Sequence, residues 1–345
     1  MTIGTYDTHT LMRVVETLRP PTNFWLSLGF PSTQLFDTEF VDFDVVDRGR
    51  RLAPFVAPTA QGKPMLQEGY STRRFKPAYI KPKDAVNPTR VFRRQPGEIY
   101  AGSMSAEQRR QAVIADILMQ HRNMVERRWE WMACEAIVNG AVTISGEDYP
   151  SVTVTFGRAG SQSKNLTGTN RWSESTSKPL QDWESWRIET HRLSGYSPNI
   201  VVMGLNAWNA FRVHADVQKA LNTEIRGTQS SLEIATGTGL PFERRGYIGS
   251  NLEIWTYNDI YEDNSGTAVE FFNQDSVLLT SRAVDGVRCF GAILDARAGY
   301  QPAAMYPKMW LQEDPSAEFL MVQSAPLMVP TRPNATLLAK VLNAS

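Results

Sequence analysis

The sequence predicts an α+β protein with more than one structural unit, and three observations carry that prediction. A helical pattern without proline or internal glycine runs from about Ser105 to Asn139, far beyond the globular mean of about three turns. A proline-punctuated stretch from Gln61 to Gly97 can form neither helix nor central strand, because each proline fixes φ and removes a backbone donor. After Lys178-Pro179 the composition shifts to short helical and strand patterns separated by Gly and Asn, as in a compact mixed domain. At 345 residues the chain has room for two domains or one elaborated one.

Taken in order, Leu11, Val14, Val15 and Leu18 lie at helical spacing, and Pro20-Pro21 ends the pattern; this predicts a short amphipathic arm. "NFWLSLGF" follows as a dense apolar cluster. In "TQLFDTEFVDFDVVDRGRRLAPFVAP" apolar and polar residues alternate, so Phe40, Val41, Phe43, Val45 and Val46 predict a strand. Pro64, Pro77, Pro82, Pro88 and Pro96 then predict an extended two-stranded excursion whose ends approach near Ala57 and Gly97.

Ser105 is placed to cap the long helix, with Gln108 as its capping-box partner. Val113, Ile117, His121, Met124, Arg128, Met132 and Ala136 trace one stripe, with Ile114, Leu118, Val125 and Trp129 beside it. Gly140 supplies the stop. "VTVTF" predicts a strand and the polar residues after it a loop or hairpin. Beyond Pro179 come helix "LQDWESWRIETHRLSGY", strand "NIVVMG" and helix "NAWNAFRVHADVQKAL". "LEIWTYNDIYED" and "AVEFFNQDSVLLTS" predict strands, and "AEFLMVQSAPLMVP" one long buried strand. There are no internal repeats.

Thirty-six basic residues balance 36 acidic ones, which argues against bulk electrostatic capture of nucleic acid. Nine Trp and fifteen Phe favour buried contacts and interfaces. Cys134 and Cys289 are too few for a metal cluster; they read as buried free thiols in a reducing compartment, or alternatively as one long-range disulfide. The first residues lack a basic segment followed by an apolar one, and no apolar run approaches the ~18 residues of a membrane span. Expected cofactors are none, expected metal ligands none, and catalytic residues none. P-loop, dinucleotide and nucleophile-elbow patterns are missing from the sequence. His9, His121, His191 and His214 are scattered; His214 with Asp216 reads as a surface or capping pair, His121 as a core or interface histidine, and Trp183 with Trp186 as packing.

One stretch departs from the balance. From Arg73 to Arg94 eight basic residues face one acid, Asp84, in a segment that includes "FKPAYIKPKDAVNPTR". Sparse aromatics disfavour base stacking, and a solvated loop is the plain alternative. A stiff, extended, Arg-bearing arm suits docking on another subunit.

"FKPAYIKPKDAVNP" followed by "RRQPGE", and then "MGLNAWNAFR", "AMYPKMW", "DPSAEF" and "QSAPLM" in that order, resembles the lambda-like tailed-phage major capsid proteins, the E family. The resemblance implies an HK97-like capsid fold with N-terminal arm, extended E-loop, peripheral domain with long spine helix, and axial domain. It divides the chain into an arm with first strands (1–56), the E-loop (57–102), a peripheral domain (103–180, spine about 105–139), an axial domain (181–305) and a return to the peripheral domain (306–345).

The implied function is a major capsid protein that self-assembles into hexamers and pentamers of an icosahedral head around packaged double-stranded DNA. Assembly would take place in the host cytoplasm, with the virion as destination. Implied partners are other copies of the chain, a separate scaffold protein, a portal protein, a decoration protein and loosely held DNA, with no membrane. Expected intersubunit contacts are Arg73, Arg74, Phe75, Tyr79, Lys81, Lys83, Arg90, Arg93 and Arg94, and expected hinges Gly62, Gly97 and Gly102. Lys81, Lys83 and Asn334 are the residue types of a covalent Lys–Asn seal, without a catalytic acid in evidence. The alternatives are a non-viral nanocompartment shell of the same fold, a hydrolase using His191 or His214, or a ring-forming tail or connector protein.

Overall fold

A computed structural model describes residues 23–46, 52–53, 55, 58–59, 61, 70–86, 105–146, 149–224, 241–248, 252–263, 265–314 and 317–342. The arm pattern at Leu11 to Leu18 and the sites at Arg90, Arg93, Arg94, Gly62, Gly97 and Gly102 lie outside the described residues. In chain order come α1 (Phe24–Gly29), β1 (Ser32–Leu35), β2 (Val41–Val46), β3 (Tyr70–Phe75), β4 (Lys83–Val86) and the long α2 (Ala106–Val138). They are followed by β5 (Ala141–Gly146), β6 (Tyr149–Thr155), β7 (Ser163–Asn165), α3 (Pro179–Ser194), β8 (Ile200–Met203), α4 (Leu205–Val213) and α5 (Ala215–Glu224). Then come β9 (Phe242–Ile248), β10 (Leu252–Tyr257), β11 (Ile260–Glu262), β12 (Ala268–Glu270), β13 (Ser276–Thr280) and β14 (Val287–Phe290). The last four are β15 (Tyr306–Gln312), β16 (Ala317–Gln323), β17 (Pro326–Val329) and β18 (Leu337–Lys340).

Both ends of the 33-residue α2 are capped by side chains. Ser105 accepts from the Gln108 amide and the Gln108 side chain accepts from the Ser105 amide, satisfying two otherwise free donors. At the other end Arg158 donates to the carbonyls of Ile137 (3.3 Å) and Val138 (2.5 Å), a cation at the negative pole of the helix. Gly140 takes φ +65°, and a Cβ there would sit 2.7 Å from the Arg158 side chain; conformation and space both require glycine. The buried face is shifted from the expected stripe. Ile114, Leu118, Val125 and Trp129 are buried along with Val113, Ile117, His121, Met132 and Ala136, whereas Met124 is 57 % exposed and Arg128 faces solvent. The shift arises because α2 packs against α1, β4, β5, β16 and β17 along its length, and no single stripe serves all of them.

The short helix α1 is held at both ends by ionisable side chains, one buried and one half-buried. The Glu130 carboxylate of α2 accepts from the amides of Trp25 (2.7 Å) and Leu26 (3.0 Å). Arg288 of β14 donates to the carbonyls of Phe30 (2.8 Å) and Leu26 (3.2 Å). The carboxyl oxygens meet the free amides and the cation the free carbonyls. Trp25 and Phe30 are fully buried, and Phe24 packs on Phe242, Trp255 and Tyr257.

A six-stranded sheet runs β7-β18-β13-β8-β10-β9. Its buried residues alternate between two cores, as the two-residue period of a strand requires. Val201, Met203, Ile254, Val277, Leu279, Leu337 and Ala339 face an aromatic cluster of Trp172, Trp183, Trp186, Trp208 and Phe211. Ile200, Val202 and Leu278 face the core that contains α1 and α2. β7 and β18 join this sheet from outside residues 181–305. The other sheets are β1-β14-β17, β15-β16-β4 and the pairs β2-β3, β5-β6 and β11-β12.

Three expectations are corrected. The excursion expected between Ala57 and Gly97 does not pair with itself among the described residues: Tyr70–Phe75 pairs with Val41–Val46, and residues 80–86 lie along β16. The predicted helix over 206–221 is two helices, α4 and α5, broken at His214, which is extended (φ −67°, ψ 130°) and whose Nδ1 accepts from the Asp216 amide. The predicted single strand over 317–330 is β16 and β17 in different sheets, because the chain leaves one sheet at Ser324 and enters the other at Pro326. Each half is apolar for its own reason, so the run looks continuous in sequence.

Candidate assembly surface

The proline-rich basic segment begins as one half of a ribbon. β3 pairs antiparallel with β2, setting Arg74 opposite Asp42 and Phe75 opposite Val41. Arg74 forms a two-pronged bond with Asp42 at 2.8 and 2.9 Å, which holds the Asp42 carboxyl below its ordinary range. Lys76 pairs with Glu39, and Phe75 packs against the main core. Arg73 sits opposite Phe43 in the ribbon.

Beyond Pro77 the chain is fastened again. The Tyr79 hydroxyl donates to the Ala292 carbonyl at 2.5 Å and accepts from the Leu294 amide at 3.0 Å. Ile80 bridges Ser324, the Pro82 carbonyl accepts from Val322, and β4 continues along β16 with Lys83 opposite Met321. The segment is thus the edge strand of a three-stranded sheet, a position that tolerates proline.

The two faces of this sheet differ. Asp84, Val86, Glu318, Leu320, Val322 and Met309 share the face toward α2. There His121 Nε2 bonds Asp84 at 2.9 Å and Arg110 pairs with Glu318 at 3.0 Å; Leu320 and Val322 are fully buried. The opposite face carries Lys83, Ala85, Lys308, Trp310, Phe319 and Met321. Trp310 and Phe319 stack at 5.5 Å, and the Lys83 ammonium lies 4.2 Å from the Phe319 ring and 5.2 Å from Trp310. Lys81 lies 4.6 Å from the Tyr79 ring. Of the expected contact residues, the fold ties Arg74, Phe75 and Tyr79 to their own chain and leaves Lys81 and Lys83 presented outward.

Sequence reasoning missed the intrachain partners Asp42, Glu39 and the Ala292–Leu294 turn. The "VDFDVVD" alternation signals the first, but the third lies more than 200 residues from Tyr79. Trp310 and Phe319 also went unnoticed, though each alternates with an inward residue.

Elsewhere the candidate chemical groups are committed to structure. His214 Nδ1 accepts a backbone amide, so Nε2 carries the proton and donates toward Ser177 Oγ (3.0 Å) and the Glu174 carbonyl (3.3 Å). Ser177 in turn donates to the Glu174 carbonyl at 2.8 Å. A histidine protonated toward the serine cannot accept its proton, so this pair is not an activated nucleophile. His191 bonds Ser197 Oγ at 3.2 Å on the exposed end of α3. Asn334 accepts from the Ala159 amide at 2.8 Å, which occupies the oxygen of the candidate seal residue. Cys134 and Cys289 are free and buried; burial pushes the Cys289 thiol up to about 12. Among the described residues no group of three or more His, Cys, Asp or Glu side chains is placed to hold a metal, and no helix is long and apolar enough to cross a membrane.

A family model described as phage major capsid protein E matches residues 7–341. The major capsid protein of Escherichia phage lambda is 32 % identical over 318 residues, covering 90 % of this chain and 91 % of that protein. The major capsid protein of Enterobacteria phage P21 is 30 % identical over 344 residues, covering 98 % of this chain and all of that protein. Among solved structures, a prophage protein of E. coli CFT073 described as a capsid protein superposes with a TM-score of 0.75 at 22 % identity, covering 98 % of this chain and 99 % of that one. The α+β architecture is accordingly the HK97-type capsid fold. With a match over nearly all its length, the chain belongs to the phage major capsid protein E family.

Proposed function

We propose that this chain is the shell-forming subunit of a phage head and self-assembles into hexamers and pentamers of an icosahedral shell around packaged double-stranded DNA. The observation that carries the reading is the family match over residues 7–341. The mechanism is geometric. α2 and its sheets act as a rigid peripheral unit, and the six-stranded sheet with its aromatic core as an axial unit. Segment 57–102 carries the E-loop, and its described middle, residues 74–86, is fastened to the same subunit at Arg74, Tyr79 and β4. Gly62, Gly97 and Gly102 supply the bending that quasi-equivalent positions require. Arg90, Arg93 and Arg94, with Arg73, reach acids of a neighbouring copy, and many weak contacts add through multivalency. A separate scaffold protein, a portal protein and a decoration protein complete the particle. Assembly occurs in the host cytoplasm, and DNA contact is loose and sequence-independent, in keeping with zero net charge.

The test is co-expression with a candidate scaffold followed by negative-stain microscopy. Closed icosahedral shells are expected from the wild-type chain, and soluble unassembled chain from Arg93→Glu/Arg94→Glu. Open rings from the wild-type chain would defeat the reading; normal shells from the double variant would defeat the role of the two arginines.

A further inference from the structure

The outward face of the β15-β16-β4 sheet is apolar at its centre and positive at its edge. Trp310, Phe319 and Met321 form the centre, and Trp310 and Met321 line an open depression of about 460 Å³ together with Arg297, Lys308 and Leu311. Leu311 is 44 % exposed. Lys308 is neutralised by Asp295 at 2.5 Å. Lys81 and Lys83 are exposed and, among the described residues, meet aromatic rings rather than carboxylates. Two half-buried rings beneath the Lys83 ammonium, with Lys81 over the Tyr79 ring at the same edge, form a surface that favours carboxylates carried on an aliphatic support.

Such a support exists on the same chain. In the β11-β12 hairpin, Ile260 lies opposite Glu270 and Glu262 opposite Ala268, while Tyr261 lies opposite Val269. The hairpin's inner face is held by Tyr261, which packs edge-on against Phe271 at 5.0 Å. All four residues of its other face are exposed, Ile260 by 51 %. Residues 259–270 contain no lysine or arginine. Glu262 and Glu270 have no ion-pair partner among the described residues. Among the described residues, each chain therefore presents one face with two cations that meet aromatic rings and another with two carboxylates without an ion-pair partner, beside aliphatic side chains.

We propose that the Lys81/Lys83 face of one copy docks the Glu262/Glu270 face of the β11-β12 hairpin of a second copy. The contact joins two different patches and repeats from copy to copy, a head-to-tail arrangement that closes into a ring when the rotation between copies closes. It rests on the shell-forming reading and names one interface within it. Opposed charge sets the register, and burial of Ile260 against Trp310 and Phe319 supplies the desolvated centre.

Charge exchange tests it in the scaffold co-expression system. Lys81→Glu/Lys83→Glu and Glu262→Lys/Glu270→Lys are each expected to lower shell yield about tenfold or more, and the fourfold variant to recover most of it. Wild-type yield from either double variant overturns the inference, and so does a fourfold variant no better than the doubles. If a double variant is insoluble, Lys83→Cys/Glu262→Cys serves instead. Oxidised shells of that variant should contain disulfide-linked multimers, and shells without interchain disulfide overturn the proposal. Failure of the wild-type chain to form shells overturns the shell reading itself, which separates the two failures.

Discussion

The aromatic core beneath the six-stranded sheet and the junction of α1 with α2 are both closed to solvent, yet different forces hold them. In the first, Trp183 stacks on Phe211 at 4.4 Å, and Trp172 lies 6.1 Å from both Trp183 and Trp186. Its stability comes from area removed from water and from ring contacts. In the second, a buried carboxylate and a guanidinium grip the ends of α1, and Glu126 with Arg122 extends the network at 2.7 Å. Buried charge is costly unless its hydrogen bonds are made, so the junction is specific rather than cheap. One region tolerates changes of solution and resists loss of volume. The other changes its stability with pH.

The largest expected effect breaks the apolar side of this contrast. Trp183→Ala should lower unfolding free energy by about 3–5 kcal/mol, because the stack leaves a cavity it cannot collapse. The urea midpoint of the unassembled chain should fall equally at pH 5 and pH 8; a loss that varies with pH would erase the distinction.

The next effect belongs to the junction. Burial raises the Glu130 carboxyl from 4.5 to about 7, against the pull of the α1 amides. The folded chain therefore keeps a proton that the unfolded chain has released across that window. The group's stabilising contribution is complete below pH 4.5 and is lost as pH rises through 7, by up to about 3 kcal/mol. Glu130→Gln cannot titrate, so relative to wild type it should gain by up to that amount between pH 4.5 and 8. Parallel pH profiles for the two chains would remove the proton from the account.

Smaller changes sharpen the comparison at the rims. Ser105→Ala should cost about 1 kcal/mol by opening the capping box of α2, visible as a small drop in thermal midpoint. Arg74→Ala removes an exposed pair and should leave the denaturation midpoint unchanged. A clear drop would mean that the β2-β3 ribbon contributes to global stability.

Legibility in the sequence followed the same division. The ends of α2, its capping residues, the Gly140 stop and most strands beyond Pro179 were readable, because periodicity and capping act over a few residues. The segment from Phe75 to Val86 was readable as extended and basic, and its prolines excluded a central strand. What tied it down was hidden: Tyr79 reaches the Ala292–Leu294 turn, Asp84 reaches His121, and Arg74 reaches Asp42. The breaks at His214 and Ser324 were missed because apolar spacing continues across both.

By itself, then, the sequence determined the mixed α+β class, the long capped helix, the proline-stiffened basic segment and, through an ordered set of motifs, the family. Those properties depend on backbone preferences and on near neighbours along the chain. Only the tertiary structure decided which cations are spent inside the subunit and which are presented outward. Arg74 and Lys83 carry the same charge, yet one meets Asp42 across a ribbon while the other stands over two rings contributed by residues 310 and 319. Charge has a sign in the sequence, but its partner is chosen by strand register and by which face of a sheet a helix covers.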